Sequence, residues 1–83
     1  MSSASSTTAQ ATFDAARLIL AHNVKGCRKS AGMSQEELAL KMGTIQSNIS
    51  KLESGRANPT LETLSELADA LGVPLGSLLA LVV

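Results

Sequence analysis

Apolar residues recur along most of this 83-residue chain at helical spacings of three and four. The first stripe is Leu20, Val24, Cys27 and Ala31, one face of a helix expected over Phe13 to Ala31. Leu18 and Ile19 lie off that stripe and fit either a wider core or a partner contact. Gly26 weakens the exposed face by about 1 kcal/mol. Gly32 is placed to end the helix in a left-handed conformation. Ahead of it, residues 1–12 are mostly Ser, Thr, Ala and Gln, with no charge and little bulk. Such a segment cannot offset its ordering entropy, so a disordered tail is expected there. Ala and Gln tolerate helix well, which lets part of it extend the first helix.

The stretch from Met33 to Arg56, MSQEELALKMGTIQSNISKLESGR, is the most strongly patterned. Ser34 followed by Glu37 is a capping box, in which each residue's side chain satisfies the other's backbone amide. Met33 and Leu38 stand at the spacing of a hydrophobic staple. Leu38, Ala39 and Met42 form the apolar side of this second helix, and Gly43 ends it. A third helix begins near Thr44 to Gln46 and buries Ile49 and Leu52. Its other side carries Gln46, Ser47, Ser50, Lys51 and Ser54, short polar groups with one positive charge. A merely solvated helix more usually carries Glu and Lys pairs. Small Ala39 and flexible Gly43 permit a close, sharp pairing, as in a helix-turn-helix. Spacing alone also fits an ordinary αα-corner.

Asn58-Pro59 marks a turn, and Thr60 is the N-cap of a fourth helix with Leu61, Leu64, Ala68 and Leu71 as its buried stripe. Glu62, Glu66 and Asp69 face water on this reading, and Gly72 stops the helix. A short last helix starts around Pro74. Its Leu75, Leu78, Leu79 and Val82 share one face, with Leu81 and Val83 on another. An end this apolar needs cover. Either it folds back on its own core or it forms the seam of a homodimer.

The run from about Val24 to Leu79 resembles the helix-turn-helix domain of the lambdoid phage repressor, or Xre, family. The resemblance is carried by Arg28, Gly32, the SQEELA of Ser34 to Ala39, Gly43, Gln46, Ile49, the LESGR of Leu52 to Arg56, Asn58-Pro59, the LETL of Leu61 to Leu64, and the LADALGV of Leu67 to Val73. It implies an all-α, compact five-helix bundle of the lambda-repressor-like kind, occupying residues 13–83. It also implies homodimers that bind palindromic operators in double-stranded DNA. By match to the family, Gln46, Ser47 and Lys51 face base edges, with Ser50 beside them. Gln35 at the head of the second helix is the first phosphate candidate, with Ser34, Ser54, Arg56, Asn58 and Thr60 flanking the two strands. The family also implies a buried ion pair between Arg28 and Glu53. Pro74 and Gly76 depart from the pattern, standing where a Ser-type cap and an acidic residue are usual.

Composition sharpens this picture. Net charge is zero, which taken alone argues against a nucleic-acid partner. Yet all seven cations fall between Arg17 and Arg56, opposed there only by Glu36, Glu37 and Glu53. Asp14, Glu62, Glu66 and Asp69 stand outside that window, so one end is positive and the other negative. One cysteine allows no internal disulfide and no metal-ligand spacing. His22 and Cys27 point about 140° apart on a helix, which argues against a catalytic dyad and makes His22 a surface residue. No cofactor and no enzymatic constellation is expected. The longest apolar run is the six residues Leu78 to Val83, too short to span a membrane. The expected compartment is the cytoplasm. The competing function is a protein-interaction module, such as an antitoxin or adaptor, on the same scaffold. The outward side of the third helix, free of acidic groups except Glu53, argues against it.

Overall fold

The computed structural model describes residues 3–81, with side chains over 8–81. Five helices follow in order: α1 (Ser3–Ser30), α2 (Gln35–Met42), α3 (Gln46–Glu53), α4 (Leu61–Leu71) and α5 (Gly76–Leu79). Among the described residues there is no strand, and no helix is long and apolar enough to cross a membrane.

The local chemistry explains where each helix starts and stops. Ser34 Oγ accepts from the Glu37 amide at 3.0 Å, and Glu37 Oε1 accepts from the Ser34 amide at 2.8 Å, closing the capping box of α2. Gly43, at φ 72°, turns the chain out of α2. Two residues later Ile45 opens α3 without any side-chain cap. The far end of α3 closes as a Schellman turn. There the Gly55 amide donates to the Leu52 carbonyl at 3.3 Å and the Arg56 amide to the Lys51 carbonyl at 3.1 Å. Gly55 takes φ +75°, and a Cβ there would lie 3.0 Å from Leu18 Cδ2 of α1. Thr60 Oγ1 accepts from the Thr63 amide at 3.1 Å and so starts α4.

Val24, Leu38, Ile49, Leu67 and Leu78, one from each helix, are the fully enclosed centre of the core. Each contributes about 1.5–3 kcal/mol by leaving water. Leu20, Ala39, Leu52, Leu64, Ala68 and Leu71 pack around them, with Cys27, Met33 and Met42 half-buried at the edge.

Four expectations need correction. The first helix starts at Ser3, not Phe13, so most of the expected tail continues as helix; residues 1 and 2 lie outside the described residues. At 28 residues, α1 is roughly 42 Å long, close to the molecule's longest extent of 44 Å. Ala31 is exposed, because α1 ends one residue before it. Leu61 is 70% exposed, while Leu67 and Ala70 are buried. Periodicity gives a direction around a helix, but in the first turn of α4 no neighbour covers it. Finally, Leu78 is fully enclosed by its own chain and Leu75 packs against the same core, so the last helix folds back. Asn23, itself buried, secures this: its Nδ2 donates to the Leu78 carbonyl at 3.0 Å and the Ala80 carbonyl at 2.8 Å. Leu79 and Leu81 stay exposed, and Val82 lies outside the described residues.

The two glycines that α1 brings into play are expected to respond oppositely to alanine. Gly26 has open space around its Cβ position within a helix, so Gly26→Ala raises stability by about 0.5–1 kcal/mol. Gly55→Ala forces a side chain into the left-handed region and lowers stability by about 1–2 kcal/mol. Urea unfolding of both variants checks this, and shifts of the same sign would refute it.

Candidate nucleic-acid interface

Four polar residues of helix α3 share one arc. Gln46, Ser47, Ser50 and Lys51 span about 140° around its axis. Gln46, Ser47 and Lys51 are exposed and Ser50 is half-buried, while Ile49 and Leu52 on the opposite side are buried. The acidic residue of α3, Glu53, is turned inward, its side chain only 3% exposed.

Glu53 is met by a two-pronged arginine. Arg28 Nε donates to Oε2 at 2.6 Å and Arg28 Nη2 to Oε1 at 2.9 Å. The remaining prong, Nη1, donates to the Met33 carbonyl at 2.8 Å, where the chain enters α2. One guanidinium thus joins α1, the approach to α2, and α3. Burial pushes the Glu53 carboxyl upward, but hydrogen bonds from Arg28 and Gln35 outweigh it and leave its pKa lowered. Arg28 is shifted upward by the hydrogen bonds to Glu53. Both shifts favour the ionised pair.

The pair extends to the surface. Gln35 Nε2 donates to Glu53 Oε1 at 3.1 Å, and Gln46 Nε2 donates to Gln35 Oε1 at 3.1 Å. The first residue of α2 and the first residue of α3 are therefore oriented by a chain of contacts rooted on α1. Among the other phosphate candidates, Ser34 is exposed at the head of α2 with its oxygen accepting in the cap. Arg56 and Asn58 are exposed just past α3, and Arg56 Nε donates to Ser54 Oγ at 2.8 Å. Ser54 and Thr60 have inward duties: their hydroxyls donate to the Lys51 carbonyl and to Thr63 Oγ1, each at 3.0 Å. Their place beside a phosphate would come from position, not from a free hydroxyl proton.

Three residues near this surface escaped sequence reasoning. Asn48 is exposed on α3 and donates to Thr44 Oγ1 at 2.7 Å. Ile45 stands 63% exposed beside Gln46. Arg17 reaches the Gly55 carbonyl at 2.7 Å. In sequence Arg17 is one cation among seven; the one available signal is that it lies three helical turns before Arg28, on the same face.

Residues 24–78 match the model of a helix-turn-helix family, HTH_3. The chain belongs to that family, a class of DNA-binding transcription regulators. It is 46% identical over 57 residues to the uncharacterised HTH-type transcriptional regulator y4dJ of Sinorhizobium fredii, covering 69% of this chain and 74% of that one. It is 31% identical over 61 residues to the immunity repressor protein of Bacillus phage phi105, covering 74% of this chain but 42% of the repressor. Among solved structures it resembles the hypothetical transcription factor NHTF from Neisseria, with TM-score 0.76 and 38% identity over 78% of this chain and 75% of that one. It also resembles the restriction-modification controller protein C.AhdI from Aeromonas hydrophila, with TM-score 0.74 and 29% identity over 78% of this chain and 94% of that one.

The ion pair makes a prediction with two readouts. Arg28→Ala and Glu53→Ala each leave an enclosed charge unmatched and lower stability by about 3–5 kcal/mol; the double variant loses less than their sum. Folded Glu53 has the lowered pKa, so its contribution is complete above the ordinary carboxylate value near pH 4.3 and disappears as pH falls through the folded value. Glu53→Gln therefore flattens the acid limb of the stability curve. Additive losses, together with an unchanged acid limb, would show the pair to be uncoupled.

Proposed function

We propose that this chain binds double-stranded DNA sequence-specifically, as a dimeric regulator, with α3 in the major groove. One observation carries the reading: the outward arc of α3 is polar and basic while its carboxylate is buried and neutralised by Arg28. A helix of this size fits the major groove, where each base pair displays a distinct pattern of donors and acceptors. Gln46 has the bidentate amide suited to adenine N6 and N7, and Lys51 donates to guanine O6 or N7. Ser47 and Ser50 are short enough for the helix to sit deep. Backbone amides at the heads of α2 and α4, with Gln35, Arg56 and Asn58, take the flanking phosphates and set register. Ser34, Ser54 and Thr60 shape those same turns.

The test separates reading from holding. Gln46→Ala is expected to reduce operator affinity by about 1–3 kcal/mol with little change on random duplex. Arg56→Ala weakens both by similar factors and flattens the salt dependence by about one unit of slope. A duplex selected from a random pool and its scrambled form, titrated across a salt series, give both numbers. An unchanged specificity ratio for Gln46→Ala would overturn the assignment of α3 as the reader. If no duplex is selected at all, the protein-interaction reading takes its place.

Dimerisation belongs to the same proposal. With Leu78 committed to its own core, the seam is assigned to exposed Leu79 and Leu81 together with Leu18 and Ile19, which adjoin Leu81 on α1. Two copies joined there place their reading helices for half-sites roughly 34 Å apart. Sedimentation at micromolar concentration is expected to give a dimer that Leu81→Lys dissociates. A monomer that keeps full affinity for a single half-site would sink the seam.

A further inference from the structure

The turn that carries Arg56 is gripped from behind by a side chain outside the reading face. Arg17 of α1 donates through Nη1 to the Gly55 carbonyl at 2.7 Å, across 38 positions of sequence. Its Nη2 pairs with Asp14. The Phe13 ring covers the guanidinium, with 4.9 Å between ring centroid and Cζ. Arg17 Nε is enclosed and meets no acceptor among the described residues. A solvated surface arginine has none of these constraints. This guanidinium is aimed at one carbonyl.

That carbonyl shares a peptide unit with the Arg56 amide. The amide is also held, donating to the Lys51 carbonyl at 3.1 Å. A peptide unit is planar, so anchoring its oxygen and its nitrogen fixes the plane. The direction in which the chain leaves Gly55, and hence where Arg56 begins, is set from both sides. Arg56 then closes on Ser54 Oγ at 2.8 Å, and Ser54 on the Lys51 carbonyl at 3.0 Å. Gly55 permits the arrangement because its left-handed φ and its closeness to Leu18 both disfavour a side chain.

We propose that Arg17 is a positioning residue for DNA binding: by holding the Gly55–Arg56 peptide, it sets Arg56 against the phosphate backbone without touching DNA itself. The inference rests on the DNA-binding reading above. It makes the leading part of α1, with Phe13 and Asp14 as supports for Arg17, a determinant of affinity.

The experiment combines binding with amide exchange in Arg17→Ala, Arg17→Lys, Arg56→Ala and the Arg17→Ala/Arg56→Ala double variant. Arg17→Ala is expected to weaken operator binding roughly three- to tenfold and to flatten the salt slope. In the Arg56→Ala background the same change has no further effect. Exchange of the Arg56 amide rises about tenfold, while the Ile49 and Leu52 amides keep their protection. Arg17→Lys retains the charge, and its affinity follows the protection of the Arg56 amide. Additive losses in the double variant would mean that Arg17 meets phosphate directly. Affinity restored in Arg17→Lys with the amide still unprotected would mean that charge alone matters. A uniform rise in exchange would mean a general brace. Each of these overturns the inference while leaving DNA binding intact. A wild type that selects no duplex from a random pool fails the DNA-binding reading itself, and the inference falls with it.

Discussion

The Arg28–Glu53 pair is the contact on which the geometry of the proposed reading surface depends. Two ionised groups held almost out of water are tolerable only when each meets a partner and the remaining donors are satisfied. Here the arginine spends two prongs on the carboxylate and one on the Met33 carbonyl, while Gln35 adds a further donor. The demand is geometric as well as electrostatic. A planar fork meets a planar carboxylate in one orientation, so α1 and α3 are held at a defined angle. A greasy contact of equal area would have held them together with less control of direction.

From that pair the constraint runs outward. Glu53 orients Gln35, and Gln35 orients Gln46, so the group proposed to read bases is linked to the core by consecutive hydrogen bonds. At the other end of α3, Gly55 and the Schellman turn direct the chain to Arg56. A recognition surface needs polar groups that are exposed yet not free to wander. Short polar side chains on a rigid eight-residue helix, tied at both ends, meet that need. Pairing Glu53 with Arg28 also offsets the one acidic charge that α3 itself carries.

Much of this is legible in the sequence. Ser34 and Glu37 announced the start of α2, Gly43 and Gly72 the ends of α2 and α4, and Thr60 the start of α4, because capping is chemistry between near neighbours. Leu38, Ala39, Ile49 and Leu52 showed which sides of α2 and α3 face inward. Other readings failed for the same reason in reverse. Leu61 obeyed the helical period and yet is exposed, since a period states a direction and not the presence of a neighbour. Leu78 has the spacing of a partner contact, but its side chain is enclosed in its own core and its carbonyl is held by Asn23, 55 positions away. Arg17 gives no local sign of its target, the Gly55 carbonyl 38 positions further along the chain.

The sequence by itself determined that the chain is helical, the caps of α2 and α4, and the segregation of positive charge toward the middle of the chain. All of these follow from interactions within a few residues or from counting. Tertiary structure decided which apolar residues are covered, that the last helix folds back, and which polar groups on α3 are tethered. It also decided that Arg17 meets the Gly55 carbonyl. Those outcomes require distant parts of the chain to arrive within about 3 Å of each other in a set orientation, and no local pattern encodes that meeting.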